Sequence, residues 1–94
     1  MIILNVIYSC KPDKRAAFLD AIKAEGLDDA SRNEGGNSKY DYYEAIHDPD
    51  ELLLVEHWQD EEALKAHFEE PHFKRLGELK DEFVSNTSIA KFEA

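Results

Sequence analysis

Cysteine, proline, glycine and basic side chains are all scarce in this chain of 94 residues. It contains one cysteine, three prolines, four glycines and 11 lysines and arginines. The single Cys10 excludes a disulfide or a thiolate metal cluster within one chain, and no neighbour in sequence activates it, so we interpret it as a free thiol. With 21 acidic residues the formal net charge is −10. Because such a surface repels phosphate backbones and anionic lipid headgroups, we predict neither nucleic acid nor a membrane as a partner.

Long hydrophobic runs are also missing. The apolar segment 2–7 is short and lacks a basic leader, and a helix start follows it, so it indicates a strand and not a signal peptide. We therefore expect a cytoplasmic protein. Its 43% hydrophobic and 11% aromatic content is typical of a folded globule. The length predicts one domain spanning residues 1–94.

Alternation and turn residues predict the element order βαββαβ. Strands are expected at 2–9, 39–46, 52–58 and 88–92, and helices from about Asp13 to about Arg32, after Asp60 and from Pro71. This order predicts an α+β, ferredoxin-like fold, an antiparallel sheet with helices on one face. Both faces of strand 2–9 are mainly apolar, so the face that the helices miss needs another cover. A second copy of the chain, packed sheet on sheet, is the simplest cover, and we predict a homodimer.

The segment 56–73 holds a strand end, a helix start and three of the four histidines. Asp60 is the predicted N-cap, with Glu61 and Glu62 in the first turn of the helix. A strand end that leads into a helix start is a common place for a functional site, so we expect the chemistry here.

The order and spacing of several residues resemble the antibiotic biosynthesis monooxygenase family, which includes small quinol monooxygenases and related isomerases. The matching residues are Asn5, Glu34-Gly35-Gly36-Asn37, and the series Glu56, Trp58, Asp60, Ala63, Leu64, His67, Pro71 and His72. The resemblance implies a dimer whose two sheets form an α+β barrel, and a role for Asn5 in contacting substrate or dioxygen. The haem-degrading branch has a helix tryptophan where this chain has His67, and its later histidine falls near Gly77. Haem degradation is therefore disfavoured.

Three residues are the candidate catalytic groups. His67 falls on the apolar stripe of its helix, so it is predicted to point inward, where a neutral imidazole could accept or donate a proton. His72 could line the same cavity from the opposite wall. Asn5 is a polar residue in an apolar strand and needs a partner. The alternatives are a hydrogen-bonded core histidine for His67, packing at a helix break for His72, and a bond to a neighbouring strand for Asn5.

Aromatic residues and a further histidine are the candidate substrate-binding groups. His57 and Trp58 alternate on their strand, so only one of them can face the helices, and the sequence leaves open which one. Tyr42 and Tyr43 offer ring faces that suit a flat ligand, although core or dimer contacts are the alternative. His47, in the hairpin, is expected to be exposed.

No cofactor or metal is expected from the motifs. His67 and His72 lie five residues apart across a proline, and the chain has no glycine-rich phosphate loop and no Gly-x-Ser-x-Gly elbow. The predicted function is a cofactor-independent monooxygenase that acts on a small phenolic or quinol-like compound with dioxygen. Two alternatives stay open: an isomerase of a small hydroxy-ketone metabolite, and a non-catalytic, stress-related dimer that binds a small aromatic or oxygenated metabolite.

Overall fold

The computed structural model describes residues 1–94, which form four strands and four helices. In chain order they are β1 (Ile2–Cys10), α1 (Arg15–Ala24), α2 (Leu27–Arg32), β2 (Asn37–Glu44), β3 (Glu51–Trp58), α3 (Glu61–Phe68), α4 (Pro71–Phe83) and β4 (Val84–Glu93). The strands form one sheet in the order β2-β3-β1-β4, and every neighbouring pair is antiparallel. The predicted α+β, ferredoxin-like fold is confirmed. The dimeric barrel stays a prediction.

The two faces of the sheet differ in burial. On β1, alternate residues from Ile2 to Cys10 are buried, and the residues between them are partly exposed. Helices cover the first set, so we call that side the helix face. The other side, the open face, carries Ile3, Asn5 and Ile7 of β1, paired with His57, Val55 and Leu53 of β3. Nothing within the chain packs over the open face as the helices do over the other.

The core lies between the helix face and the helices. Phe18 and Ile22, one turn apart on α1, are completely buried, and Leu76 and Leu79 of α4 are nearly so. The Phe18 ring meets Tyr8 of β1 edge to face, with centroids 5.6 Å apart. Because burying a large apolar side chain contributes about 1.5–3 kcal/mol, this layer holds the helices on one side of the sheet.

The prediction of one helix from Asp13 to Arg32 is wrong. Helix α1 ends at Ala24, and α2 begins only after Gly26, whose backbone has a φ of +65°. Glycine adopts this left-handed conformation without steric penalty, and it breaks the helix. The apolar periodicity continues across the break, so spacing alone did not reveal it. The Arg32 side chain then ties α2 to the sheet, since its Nε donates to the Tyr40 carbonyl oxygen at 2.8 Å.

None of the four helices combines the length and the apolar composition that crossing a bilayer requires.

Candidate active site

The start of α3 has the local structure that its sequence predicts. The Asp60 side chain accepts a hydrogen bond from the Ala63 backbone N–H at 2.9 Å, which caps the helix. The turn before β2 packs directly against this helix start, because a Cβ on Gly36 would lie 2.6 Å from the Ala63 Cβ. Gly36 also has a φ of +88°, and its carbonyl oxygen accepts from the Gln59 N–H. A glycine at this point therefore lets Glu34 approach α3.

Strand β3 directs Glu56 and Trp58 toward the helices. Trp58 is completely buried and Glu56 is 6% exposed, whereas His57 between them lies on the open face. This answers the question that the sequence left open. The Trp58 indole Nε1 donates to Glu56 Oε1 at 2.9 Å, so Oε2 is the carboxyl oxygen that this bond does not engage.

His67 lies in the middle of a chain of titratable groups. It is 2% exposed, as its inward position predicts, and its ring stacks on Trp58 with centroids 4.6 Å apart. Its Nδ1 lies 2.5 Å from Glu34 Oε2, and the same oxygen lies 2.8 Å from His72 Nε2. On the other side of the ring, His67 Nε2 lies 3.9 Å from Glu56 Oε1. The order along this relay is His72, Glu34, His67, Glu56.

Burial shifts the pKa values of two members in opposite directions. Burial is the main cause that raises the pKa of Glu56 from 4.5 to about 7. The nearby Glu34 raises it further, while the Trp58 hydrogen bond and Lys80 oppose the rise. Burial lowers the pKa of His67, and its hydrogen bond to Glu34 partly offsets this effect. A neutral His67 that donates from Nδ1 to Glu34 presents its Nε2 lone pair to Glu56. The 3.9 Å gap exceeds a hydrogen bond, so proton exchange between these two requires the side chains to move closer.

A cavity of about 330 Å³ lies between the helix face, α3, α4 and β4, and Glu56 opens onto it. Seven of its twelve lining residues are hydrophobic, and the other five are charged. The hydrophobic lining is Leu4, Val6, Tyr8, Leu64, Phe68, Phe73 and Ile89, and the charged lining is Glu56, Glu61, Lys65, Lys80 and Lys91. A mainly apolar pocket with a few charged groups and one carboxyl of perturbed pKa has the character of a ligand site.

A second cavity, along α1, α2 and β2, is larger, at about 410 Å³. Tyr42 and Tyr43 line it, so these two predicted ligand contacts lie away from Glu56. Its main cation, Arg32, already pairs with Asp28 and approaches Asp41 at 3.6 Å. The buried carboxyl of that cavity, Asp28, is the one that Arg32 neutralises, whereas Glu56 has no ion pair with an arginine or lysine. We therefore place the active site at the cavity of about 330 Å³.

The remaining predicted site residues divide between the two faces of the sheet. Trp58, His67 and His72 come together on the helix side. Asn5 and His57 lie on the open face, because each occupies the partly exposed set of its strand. One cavity within a single chain therefore does not hold Asn5 together with His67 and His72. The catalytic role of Asn5 stays a prediction.

Sequence reasoning missed the two carboxylates of the site. Glu56 interrupts the apolar set of β3 that begins at Leu52 and Leu54, and this interruption is the signal that could have identified it. Glu34 stands 33 residues before His67, and nothing local relates the two.

Glu34, His67 and His72 could also hold a divalent metal ion, since one ligand atom from each lies within 4.8 Å of the others. Two imidazoles and a carboxylate suit Zn²⁺. The Glu34 carboxylate between the two histidines supplies a third ligand, which the spacing of the histidines in the sequence does not show. His67 Nδ1 and His72 Nε2 both contact Glu34 Oε2, so the three side chains also form a hydrogen-bonded cluster by themselves.

Known proteins resemble this chain in sequence and in fold. The family model described as antibiotic biosynthesis monooxygenase matches residues 1–79. YcnE of Bacillus subtilis, named as a candidate monooxygenase, is 39% identical over 74 residues, which cover 79% of this chain and 76% of YcnE. The crystal structure of PA3566 from Pseudomonas aeruginosa has a TM-score of 0.88 at 26% identity and covers 99% of this chain and 92% of its own.

A protein from Nitrosomonas europaea, described as a candidate antibiotic biosynthesis monooxygenase, has a TM-score of 0.89 at 23% identity. The match covers 100% of this chain and 98% of that one. At this identity the likeness supports the fold.

Proposed function

The chain belongs to the antibiotic biosynthesis monooxygenase family, and from this premise we propose that it oxidises a small phenolic or quinol-like compound with dioxygen and without a cofactor. One observation carries the proposal. Glu56, a carboxyl whose pKa is raised to about 7, opens onto a cavity of about 330 Å³ with a mainly apolar wall. A general base works best when its pKa lies near the operating pH, and Glu56 meets that condition.

Glu56 is the catalytic base in this proposal. Its Oε2 accepts the proton of a substrate hydroxyl, whose O–H electron pair stays on the oxygen as the bond breaks. Trp58 holds Oε1 at 2.9 Å and so fixes the carboxyl plane. His67, Glu34 and His72 act as positioning residues behind Glu56, since they form one hydrogen-bonded cluster, and His67 can exchange a proton with Glu56 when the two side chains move closer. In this proposal the proton acceptor is Glu56, the neighbour of His67 in the relay, and not His67, which the sequence analysis names as a group that could accept or donate a proton.

The oxidation balances without an added reductant. The deprotonated quinol passes electrons to dioxygen one at a time, and a ring carbon then bonds to the reduced dioxygen. Glu56 returns its proton to the peroxide, and loss of water from the resulting hydroperoxide leaves a hydroxyquinone. One oxygen atom enters the product, the other leaves as water, and the substrate supplies all the electrons. The apolar lining of the cavity limits the water that would otherwise protonate the oxyanion.

An isomerase would use the same base, so we prefer the monooxygenase because of the residues that line the cavity. A small hydroxy-ketone needs several hydrogen-bond partners, whereas seven of the twelve lining residues are hydrophobic. Phe68 and Phe73 have ring centroids 5.1 Å apart and offer aromatic surfaces to a flat ring. A phenolic substrate therefore fits this wall better than a polar ketone.

The test is dioxygen uptake with a series of small quinols, after subtraction of their uncatalysed autoxidation. Glu56→Gln keeps an acceptor for Trp58 but removes the base, and we expect it to lower kcat/KM by about 10²–10⁴-fold. The matched control is Glu62→Gln, an exposed residue of α3 outside the pocket lining, which changes the net charge equally. Full activity in Glu56→Gln would remove Glu56 as the base. Substrate isomerisation without dioxygen uptake would favour the isomerase.

A further inference from the structure

The cavity at Glu56 is basic, although the chain as a whole is strongly acidic. Three lysines and two glutamates line it, on a protein of net charge −10. The other two cavities differ. The one beside α2 has two basic and two acidic lining residues, and the one beside Arg15 has one basic and three acidic lining residues. Only the Glu56 cavity has more cations than anions, so its charge is a local feature of this site.

Two of the three lysines are free to bind a ligand. Lys91 forms an ion pair with Glu61, but Lys65 and Lys80 have no carboxylate partner in the chain. The Lys80 Nζ lies 5.4 Å from the centroid of the Tyr8 ring, on the cavity wall. Lys80 is also close enough to Glu56 to lower the pKa of that carboxyl. An ammonium group that is half-buried against an aromatic wall and forms no salt bridge is well placed to pair with an anion from outside.

The charged groups lie at different depths in the cavity. Glu56 is almost completely buried, whereas Lys65 and Lys91 are exposed and Lys80 is intermediate. The carboxyl therefore lies at the inner end of the cavity and the ammonium groups lie toward its mouth. A ligand that places a hydroxyl at Glu56 would place its opposite end among the lysines.

Resting on the function proposed above, we propose that the substrate is an anion, a hydroxylated aromatic acid whose carboxylate pairs with Lys80 and Lys65 at the cavity mouth while a ring hydroxyl meets Glu56. The net charge of −10 disfavours general anion binding to the surface, so a preference for an acid must arise from these local lysines. Lys80 is the specificity-determining residue, because it is the least exposed of the free cations.

The experiment compares two probes of nearly the same shape, 2,5-dihydroxybenzoate and its neutral amide, 2,5-dihydroxybenzamide. Binding is measured by calorimetry under anaerobic conditions to prevent oxidation. We expect the benzoate to bind at least tenfold more tightly than the amide. Lys80→Met should reduce this preference to less than about threefold, because the apolar stem remains and the charge does not. The control Lys74→Met, an exposed residue of α4 outside the lining, should retain the preference.

Several results would overturn the proposal: equal binding of the two probes, tighter binding of the amide, or an equal loss of preference in Lys80→Met and Lys74→Met. Circular dichroism and thermal melting check that both variants are folded, and Lys65→Met gives a second, independent reduction if Lys80→Met fails to fold. The outcome is separable from the proposed function. Dioxygen uptake with neutral quinols but no anion preference would refute only the anionic substrate, and Lys80-dependent benzoate binding without any oxidation would refute only the monooxygenase.

Discussion

Replacing Glu56 by glutamine is predicted to remove a pH dependence from the free energy of unfolding. Glutamine keeps the size of the side chain and an oxygen acceptor for Trp58 Nε1, so the main change is the loss of a titrating group. The pKa of Glu56 rises from 4.5 to about 7 in the folded protein. The folded state therefore binds this proton more tightly than the unfolded state.

The sign and the size of this pH dependence follow from the shift in the pKa of Glu56. The stabilisation from the raised pKa is fully present below pH 4.5 and is lost as the pH rises to about 7. Since each pKa unit corresponds to about 1.4 kcal/mol, the loss in the native protein is about 3 kcal/mol. Glu56 is only 6% exposed, so solvent screens little of this effect.

Other groups near Glu56 also titrate, so the comparison must cancel them. The ionisable groups that face it are His67 on α3, Lys80 on α4, Glu34 before β2, Tyr8 on β1, and Tyr40 and Tyr42 on β2. His67 acts in the opposite direction. Its pKa is lowered from 6.5, so its contribution to stability is present above pH 6.5 and is lost as the pH falls from there through the lowered pKa. The difference between Glu56→Gln and the native protein isolates the Glu56 contribution.

The assay is urea unfolding at pH values from 4 to 8, followed by fluorescence of Trp58, the only tryptophan. Native stability should fall by about 3 kcal/mol relative to Glu56→Gln across this range. Glu62→Gln, with the same change in charge at an exposed position, should parallel the native protein. A difference between Glu56→Gln and the native protein that stays constant with pH would show that Glu56 titrates normally, and the argument for it as the base would fail.

Three further predictions concern the relay, the turn and the open face. His67→Ala should lower turnover in a steady-state assay by less than Glu56→Gln does, because His67 acts behind the base, while circular dichroism shows a folded protein. Unchanged turnover would make His67 a packing residue. Gly36→Ala should destabilise the fold by about 1–3 kcal/mol in thermal melting, because its φ is +88° and its Cβ would lie 2.6 Å from the Ala63 Cβ. Gly35→Ala, which has open space around its Cβ, should not destabilise the fold, and equal melting temperatures of the two variants would contradict this. Sedimentation should find a homodimer that Ile7→Glu on the open face dissociates, and a stable native monomer at micromolar concentration would contradict the dimer.

Local chemistry made parts of this molecule predictable from the sequence. The Asp60 cap and Pro71 mark the starts of α3 and α4, and the apolar stripe on α3 correctly places His67 inside. These signals act within a few residues, where periodicity and capping are strong guides. The break at Gly26 was not predicted, because one glycine interrupts a helix without disturbing the polar and apolar spacing around it.

The site itself needed the tertiary structure. Glu34 reaches His67 and His72 only because the turn before β2 packs on α3 through Gly36. The two sets of side chains on β3 are both partly apolar, so the sequence could not decide that Glu56 and Trp58 face inward. Both faces of β1 are also mainly apolar, so the sequence grouped Asn5 with His67 as a candidate catalytic residue. Strand alternation places Asn5 on the opposite face of the sheet.

Isotope labelling with ¹⁸O₂ shows directly whether the protein transfers an oxygen atom from dioxygen to its substrate. The protein would be incubated with a small quinol and ¹⁸O₂ in the presence of a metal chelator, and the product and water would be analysed by mass spectrometry. We expect one labelled oxygen in the product and the other in water, at a rate that Glu56→Gln lowers by about 10²–10⁴-fold. An unlabelled product, or labelling equally fast in Glu56→Gln, would contradict oxygen transfer that begins with proton removal by Glu56.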